Sequence, residues 1–201
     1  MEQKLQVIKI TAIIINIIIV LLECYLLKSI KKKKDIFKYY TYFQNLLLLL
    51  ASIIYLVFIN INSELARGIR YIATTGALVA SIIYIVFLSN NNEIKISKKD
   101  IKSKLSPKMI NFLLHGLCPA LALLNYGWYE KYPIQHMSDM WTGIAPLPSI
   151  IYMVCFMYLV STNKMKNPYE LKSKNKIVAL LSMISISFIF IITSYFLWQL
   201  P

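Results

Sequence analysis

Apolar residues in this chain come in long runs rather than with the period of an amphipathic element. Six stretches, roughly 6–27, 39–60, 69–89, 108–128, 145–162 and 177–199, are hydrophobic almost throughout, and most charges fall between them. A helix of about 20 apolar residues crosses the roughly 30 Å hydrocarbon core of a bilayer. The pattern is not that of a soluble-domain core. Connections of roughly 7 to 20 residues leave no room for a separate soluble domain. The expected fold is therefore all-α: residues 1–201 form a single integral membrane domain, a polytopic bundle of six transmembrane helices. Two helix starts carry local signals. Ser106-Pro107 offers a capping hydroxyl and a proline at the first helical position, and Pro146 and Pro148 fit the entry of the fifth helix.

Charge changes this picture by giving it a direction. The net charge is +13, yet the loops between helices 1 and 2, 3 and 4, and 5 and 6 hold 17 of the 22 Lys and Arg, against 5 in the alternate segments. Such a split places the basic loops in the cytoplasm and both termini outside it. The Lys31–Lys34 cluster suits contact with anionic headgroups, so membrane lipid is an expected partner. Charge divided among membrane-flanking loops argues against nucleic acid.

Cysteine adds little. Cys24, Cys118 and Cys155 lie inside predicted helices with no CxxC spacing, which indicates neither a disulfide framework nor a thiolate metal site. No cofactor is expected, and nothing in the pattern speaks to an oligomeric state. The first run exceeds a signal-peptide core, contains Glu23 and lacks a cleavage site, so it is expected to be retained.

The fourth run breaks its own pattern at Asn111-Phe-Leu-Leu-His115-Gly-Leu-Cys-Pro119. A histidine inside a membrane-length helix is costly and marks a functional site. Pro119 has no N–H, and its ring clashes with the carbonyl four residues back, that of His115. The helix is expected to open there, with Asn111 one turn earlier on the same face.

Other polar positions have bland readings first. Glu23, near the Lys28 end of helix 1, snorkels toward the basic loop by default; the alternative turns it into the bundle. Tyr39, Tyr40 and Tyr42 suit an interfacial belt, as do Trp128, Tyr129, Tyr132 and Trp141 in the outer loop, where His136 reads as an exposed histidine. Thr41 and Asn45 share a face, and a threonine at a helix start usually bonds its own backbone. The phrase ASIIYLVF at Ala51 recurs as ASIIYIVF at Ala80 and in part at Ser149; a restricted alphabet explains it without an inverted repeat. Ser182, Ser185, Ser187, Thr193 and Ser194 suit helix packing. The outer halves of the helices show little beyond Ser, Thr and Asn.

KYYTYFQNLL from Lys38 and NFLLHGLCPALALLN from Asn111, with Pro168-Tyr169 after helix 5, resemble the androgen-induced protein family and related bacterial six-helix membrane proteins. The resemblance implies an intramembrane hydrolase of fatty acid esters of hydroxy fatty acids. It makes Thr41 the nucleophile and His115 its base, with a lipid ester as substrate. Asn45 and Asn111 are then candidate oxyanion donors, and Glu23 the acid available to orient the imidazole. Asn125 stands where bacterial relatives often have Asp. The alternative is a non-enzymatic membrane protein, a small-solute carrier or assembly factor, with Asn111, His115 and Pro119 as a polar hinge. A carrier wants polar groups in both halves of the membrane, which the outer halves do not offer.

Overall fold

A computed structural model of the chain describes residues 2–30, 39–88, 105–130, 137–162 and 176–200. The Lys31–Lys34 cluster, Lys131, Tyr132, His136 and the Pro168-Tyr169 pair lie outside those residues, as do the side chains of Ser182, Ser185 and Ser187. The described elements are helices: α1 Glu2–Ser29, α2 Tyr40–Phe58, α3 Ser63–Ile83, α4 Pro107–Glu130, α5 Met140–Ile144, α6 Leu147–Ser161 and α7 Lys176–Gln199. Among the described residues, five helical segments are long and apolar enough to cross a membrane: α1, α2, Ser63–Val86, α4 and Met140–Leu159. In α7 a shorter apolar stretch, Phe188–Gln199, meets the same description in composition alone.

Local chemistry sets several of the ends. Ser106 caps α4 by accepting a hydrogen bond from the Met109 N–H at 3.2 Å, with Pro107 at the first turn. Asn62 does the same for α3 through the Leu65 N–H, at 3.0 Å. α3 therefore begins at Ser63, six residues before the start expected at 69, because Asn62 caps its first turn. This corrects the charge map: Arg67 and Arg70 are helix residues, buried in the bundle, and not loop charges.

The distribution of side chains is inverted relative to a water-soluble bundle. Ile10, Ile14, Ile17, Ile18 and Leu21 of α1 point outward, as do Ile150, Ile151 and Val154 of α6 and Ile191 and Ile192 of α7. Asn16, Glu23, Gln44, Asn45, Arg70, Thr74 and Asn125 are inside. An apolar exterior around a polar interior is compatible with a membrane protein. The expected aromatic belts are partly corrected by the same burial. Tyr40, Tyr42 and Trp141 are core residues, and among the described outer aromatics Trp128 alone is well exposed. Trp141 packs against the Cα of Gly68, where any Cβ would collide with its ring, and its Nε1 donates to Glu64 at 3.3 Å. Gly76 admits the Gln44 amide in the same way, and Gln44 goes on to donate to Ser149 on α6.

α3 is the central helix, packed on α2, α4 and α7, while α1 lies against α2 and α4. The end where α1 and α3 begin and α2 and α4 finish is called the upper end here, and the opposite end the lower. An ion pair ties the upper half together. Arg70 Nε on α3 donates to both Glu130 oxygens on α4, at 3.0 and 3.1 Å, and both side chains are fully buried. Arg70 Nη1 reaches Ser52 Oγ on α2 at 2.9 Å. Glu130 Oε1 also accepts from Asn16 of α1 and from Asn125, each at 2.7 Å. Asn16 and Asn125 both donate to the Ala12 carbonyl as well. Three helices thus meet on one carboxylate, and Arg70 ties in α2 through Ser52. The upper half is not the Ser, Thr and Asn layer that the sequence suggested.

Breaking one side of a buried pair strands the other charge, which costs about 3–5 kcal/mol, whereas replacing both can be nearly neutral. Glu130→Ala should therefore lower the melting temperature in detergent steeply. Arg70→Met combined with Glu130→Met should recover much of the loss. A double variant as unstable as the single one would show that the pair is not what holds these helices in register.

Candidate functional site

The lower half of the bundle is organised around one irregular turn of α4. That helix is α-helical over Pro107–Phe112, widens to π geometry over Leu113–Leu117, and returns to α over Cys118–Leu124. The Cys118 N–H bonds the Leu113 carbonyl, five residues back. In an unbroken α-helix the His115 carbonyl would take the N–H of residue 119, which proline lacks. Ser81 of α3 supplies the missing donor, its Oγ lying 2.7 Å from the His115 oxygen. α3 widens at the same level, with a π segment over Tyr84–Leu88. Single π turns inside α-helices are rare and recur at functional sites. Here two of them face each other.

His115 sits between these turns and is 8% exposed. Its ring stacks on Tyr84 with centroids 3.7 Å apart and planes 9° from parallel. Nδ1 is buried and has no hydrogen-bond partner.

Glu23 of α1 is fully buried, so the snorkelling reading is corrected: the carboxyl turns into the bundle. With exposed Ile18, Leu21 and Tyr25 occupying the outer face of α1, the inner face is what remains at this position. The Cys118 thiol adjoins the carboxyl, but neither oxygen has a hydrogen-bond partner of normal geometry. No hydrogen bond links Glu23 to His115.

α2 reaches the same turn through Asn45, which is fully buried. Its Nδ2 donates to the Thr41 carbonyl at 2.8 Å and makes a long contact, 3.5 Å, to the Leu114 carbonyl. α2 and α4 run parallel, so this contact sets their register. Thr41, four residues below Asn45, lies about 6 Å lower and level with Ile110 and Asn111. Asn111 is buried there, and Thr41 is half-buried. No hydrogen bond joins Thr41 to His115. Side chains on a helix lean toward its N-terminus, which tilts the imidazole down toward the Thr41 level.

Helix 4 therefore presents one turn to three neighbours: Cys118 to α1 and Glu23, Leu114 to α2 and Asn45, and His115 to α3. Among the described residues, no group of three or more His, Cys, Asp and Glu is placed to hold a metal ion. Arg70, Glu130, Ser81 and Tyr84 are the important residues that sequence reasoning passed over. The repeated phrase was their signal. Each copy sets a serine and a tyrosine one turn apart against a neighbouring helix: Ser52 on Arg70, Ser81 on His115 with Tyr84 on its ring, and Ser149 on Tyr40 with Tyr152 beside it. Neither a protein-family model nor a curated protein nor a solved structure matches this chain.

Ser81 and Pro119 should be coupled. Ser81→Ala strips the His115 carbonyl of its donor, a loss of about 1–3 kcal/mol for a buried group left unpaired. Pro119→Ala restores an N–H to residue 119, and a proline in a helix interior costs about 3 kcal/mol relative to alanine. Melting temperature in detergent should hold or rise in Pro119→Ala, and Ser81→Ala should then cost much less in that background than in the wild type. Additive effects would mean that Pro119 and Ser81 do not share the His115 carbonyl.

Proposed function

We propose that the chain is a six-span membrane protein with both termini outside the cytoplasm, and that it hydrolyses lipid esters within the bilayer. The lower end of the bundle then faces the cytoplasm. The observation that carries the reading is the Asn45 bridge: one amide joins the Thr41 carbonyl to the turn of α4 that bears His115. It brings the helix of the nucleophile to the helix of the base, at a level where α4 is widened.

The chemistry follows the pattern of an activated nucleophile. His115 accepts the proton of Thr41 Oγ as that oxygen attacks the ester carbonyl, whose π electrons move to its oxygen. On collapse the ester C–O bond breaks, and the imidazolium returns the proton to the departing alkoxide. Water then attacks the acyl-threonine with His115 again as base; the bond between the acyl carbon and Thr41 Oγ breaks, Oγ regains its proton from the imidazolium, and the fatty acid leaves. Asn45 has both amide hydrogens engaged by carbonyls, so Asn111, level with Thr41, is the better donor to the oxyanion. In unliganded enzymes such catalytic hydrogen bonds are often long and close up only around substrate.

A second reading has one observation in its favour. Arg70 and Glu130 above, with Glu23 below, give the interior ionisable groups in both halves, as a small-solute carrier would need. The two readings separate cleanly. Purified protein labelled at Thr41 by a fluorophosphonate or activated-ester probe, with turnover of a fatty acid ester, supports the enzyme. Solute flux in liposomes without labelling supports the carrier.

Two outcomes are expected. Thr41→Ala and His115→Ala should each abolish nearly all turnover, and the double variant should be little worse, because residues acting in one step lose activity non-additively. Multiplicative losses would count against a shared step. For topology, single cysteines in the 31–34 and 98–104 segments of a cysteine-free background should resist an impermeant thiol reagent in intact cells, and one near Ser138 should react. The reverse labelling would invert the orientation.

A further inference from the structure

We propose that the seam between α3 and α4 at Tyr84 is the portal by which the acyl chain of a lipid ester enters from the hydrocarbon, and that the Tyr84 ring is its gate. This deepens the hydrolase reading and rests on it for the identity of what enters.

The turn that bears His115 is closed on its other sides. Leu114 and Cys118 face α2 and α1 within one packed apolar cluster that includes Ile19, Leu26 and Leu48, all of them buried. On α3 the interior ends within a turn. Ala77, Ala80 and Ser81 are buried, Tyr84 is half-buried, and Ile85 and Val86 are well exposed. On α4 the same boundary falls between His115, which is buried, and Gly116, which is half-buried beside the exposed Phe112. One aromatic ring, stacked on the imidazole at 3.7 Å, therefore stands between His115 and the lipid-facing surface.

That ring is lightly held. Among the described residues no hydrogen bond ties the Tyr84 hydroxyl, so the stack is what keeps the ring over the imidazole. Its backbone stands where α3 passes from α to π geometry, and its N–H is shared between the Ala80 and Ser81 carbonyls. A single π turn is a local departure from regular winding, of the kind that recurs at functional sites. The rim is apolar: Ile85, Val86, Phe112 and Gly116 carry no hydrogen-bonding side chain. A hydrocarbon chain crosses such a rim without losing hydration, whereas a charged or strongly hydrated solute would leave its water behind at a cost. What passes is then an ester dissolved in the bilayer, with its chain on the rim and its carbonyl toward the imidazole.

Acylation of the histidine measures this cover without reference to turnover. His136→Gln leaves His115 as the sole imidazole of the chain. Diethyl pyrocarbonate, a small apolar acylating agent, is added to that protein in liposomes, and modification of His115 is followed by mass spectrometry. Tyr84→Leu removes the stack and should react roughly two- to tenfold faster, the range that one aromatic stack is worth. Tyr84→Phe keeps the stack and should react at the wild-type rate. Gly116→Leu adds a side chain on the other flank, where a Cβ meets the Phe112 ring at 3.4 and 3.5 Å, and should slow the reaction by a similar factor. A folded Tyr84→Leu protein that reacts no faster overturns the gate. Should that variant fail to fold, an unchanged rate in Gly116→Leu overturns the portal. Turnover separates the gate from the chemistry. Opening it should lower KM for a long-chain ester roughly two- to tenfold in Tyr84→Leu with kcat little changed, because a gate acts on the fraction of protein competent to bind. A packing role would instead lower kcat for short and long esters alike. Absence of turnover in the wild type sinks the hydrolase reading and leaves the portal to be judged by the acylation rates.

Discussion

The Glu130 carboxylate is the constraint on which the rest of the bundle depends. It lies fully inside the upper half and collects Arg70, Asn16 and Asn125, so that α1, α3 and α4 share one acceptor while Arg70 holds α2 through Ser52. In a lipid-like surround, apolar faces have little reason to prefer one neighbour over another, since the tails are as apolar as leucine. A buried charge pair does. Its directional bonds reject any helix rotation that would leave the arginine or the carboxylate alone in a medium of low dielectric. Fixing α3 against α4 at Arg70 and Glu130 also fixes the lower contacts of the same two helices, eleven residues along α3, where Ser81 meets His115.

The lower layer is built differently. Glu130 itself is well supplied with donors, yet Arg70 Nη2 and the Oδ1 atoms of Asn16 and Asn125 around it have no partner, and neither do the Glu23 carboxyl, Asn45 Oδ1 and His115 Nδ1 below. Unpaired polar atoms in an apolar interior are costly, and this fold retains several at each level. The upper ones surround a closed ion pair; the lower ones surround a helix turn that cannot close. Pro119 is the local cause, because it removes the donor that would otherwise seal the His115 carbonyl into α4.

How much of this was legible follows from what each signal depends on. The apolar runs and the Ser106-Pro107 start are local properties, and the helices fall where those runs lie. The start of α3 was misplaced because Arg67 and Arg70 look like loop charges until a partner is known, and Glu130 lies sixty residues away from Arg70 in the chain. Helix amphipathicity, which normally points to the buried face, is weak where both lipid and core favour apolar side chains. That is why the side on which Glu23 lies could not be read from α1 alone. The repeated serine–tyrosine phrase was visible but looked like compositional bias. Its meaning lay in what the facing helices present: an arginine, a histidine and a tyrosine–glutamine pair, none of them near it in sequence.

The register of α2 against α4 then decides how the two motifs can cooperate. Asn45 is level with Leu114, so the threonine one turn below and the imidazole one residue above are offset along the bundle axis rather than face to face. An offset of this kind suits a substrate that lies between them better than a preformed hydrogen bond would. On the proposed hydrolase reading, an ester carbonyl entering at the Thr41 level would have Asn111 beside it and the leaning imidazole above, and proton transfer would be made only as the acyl group and the helix turn close together. The Thr41 hydroxyl would then stay unactivated in the empty protein, where a threonine alkoxide would otherwise be generated beside nothing it should attack.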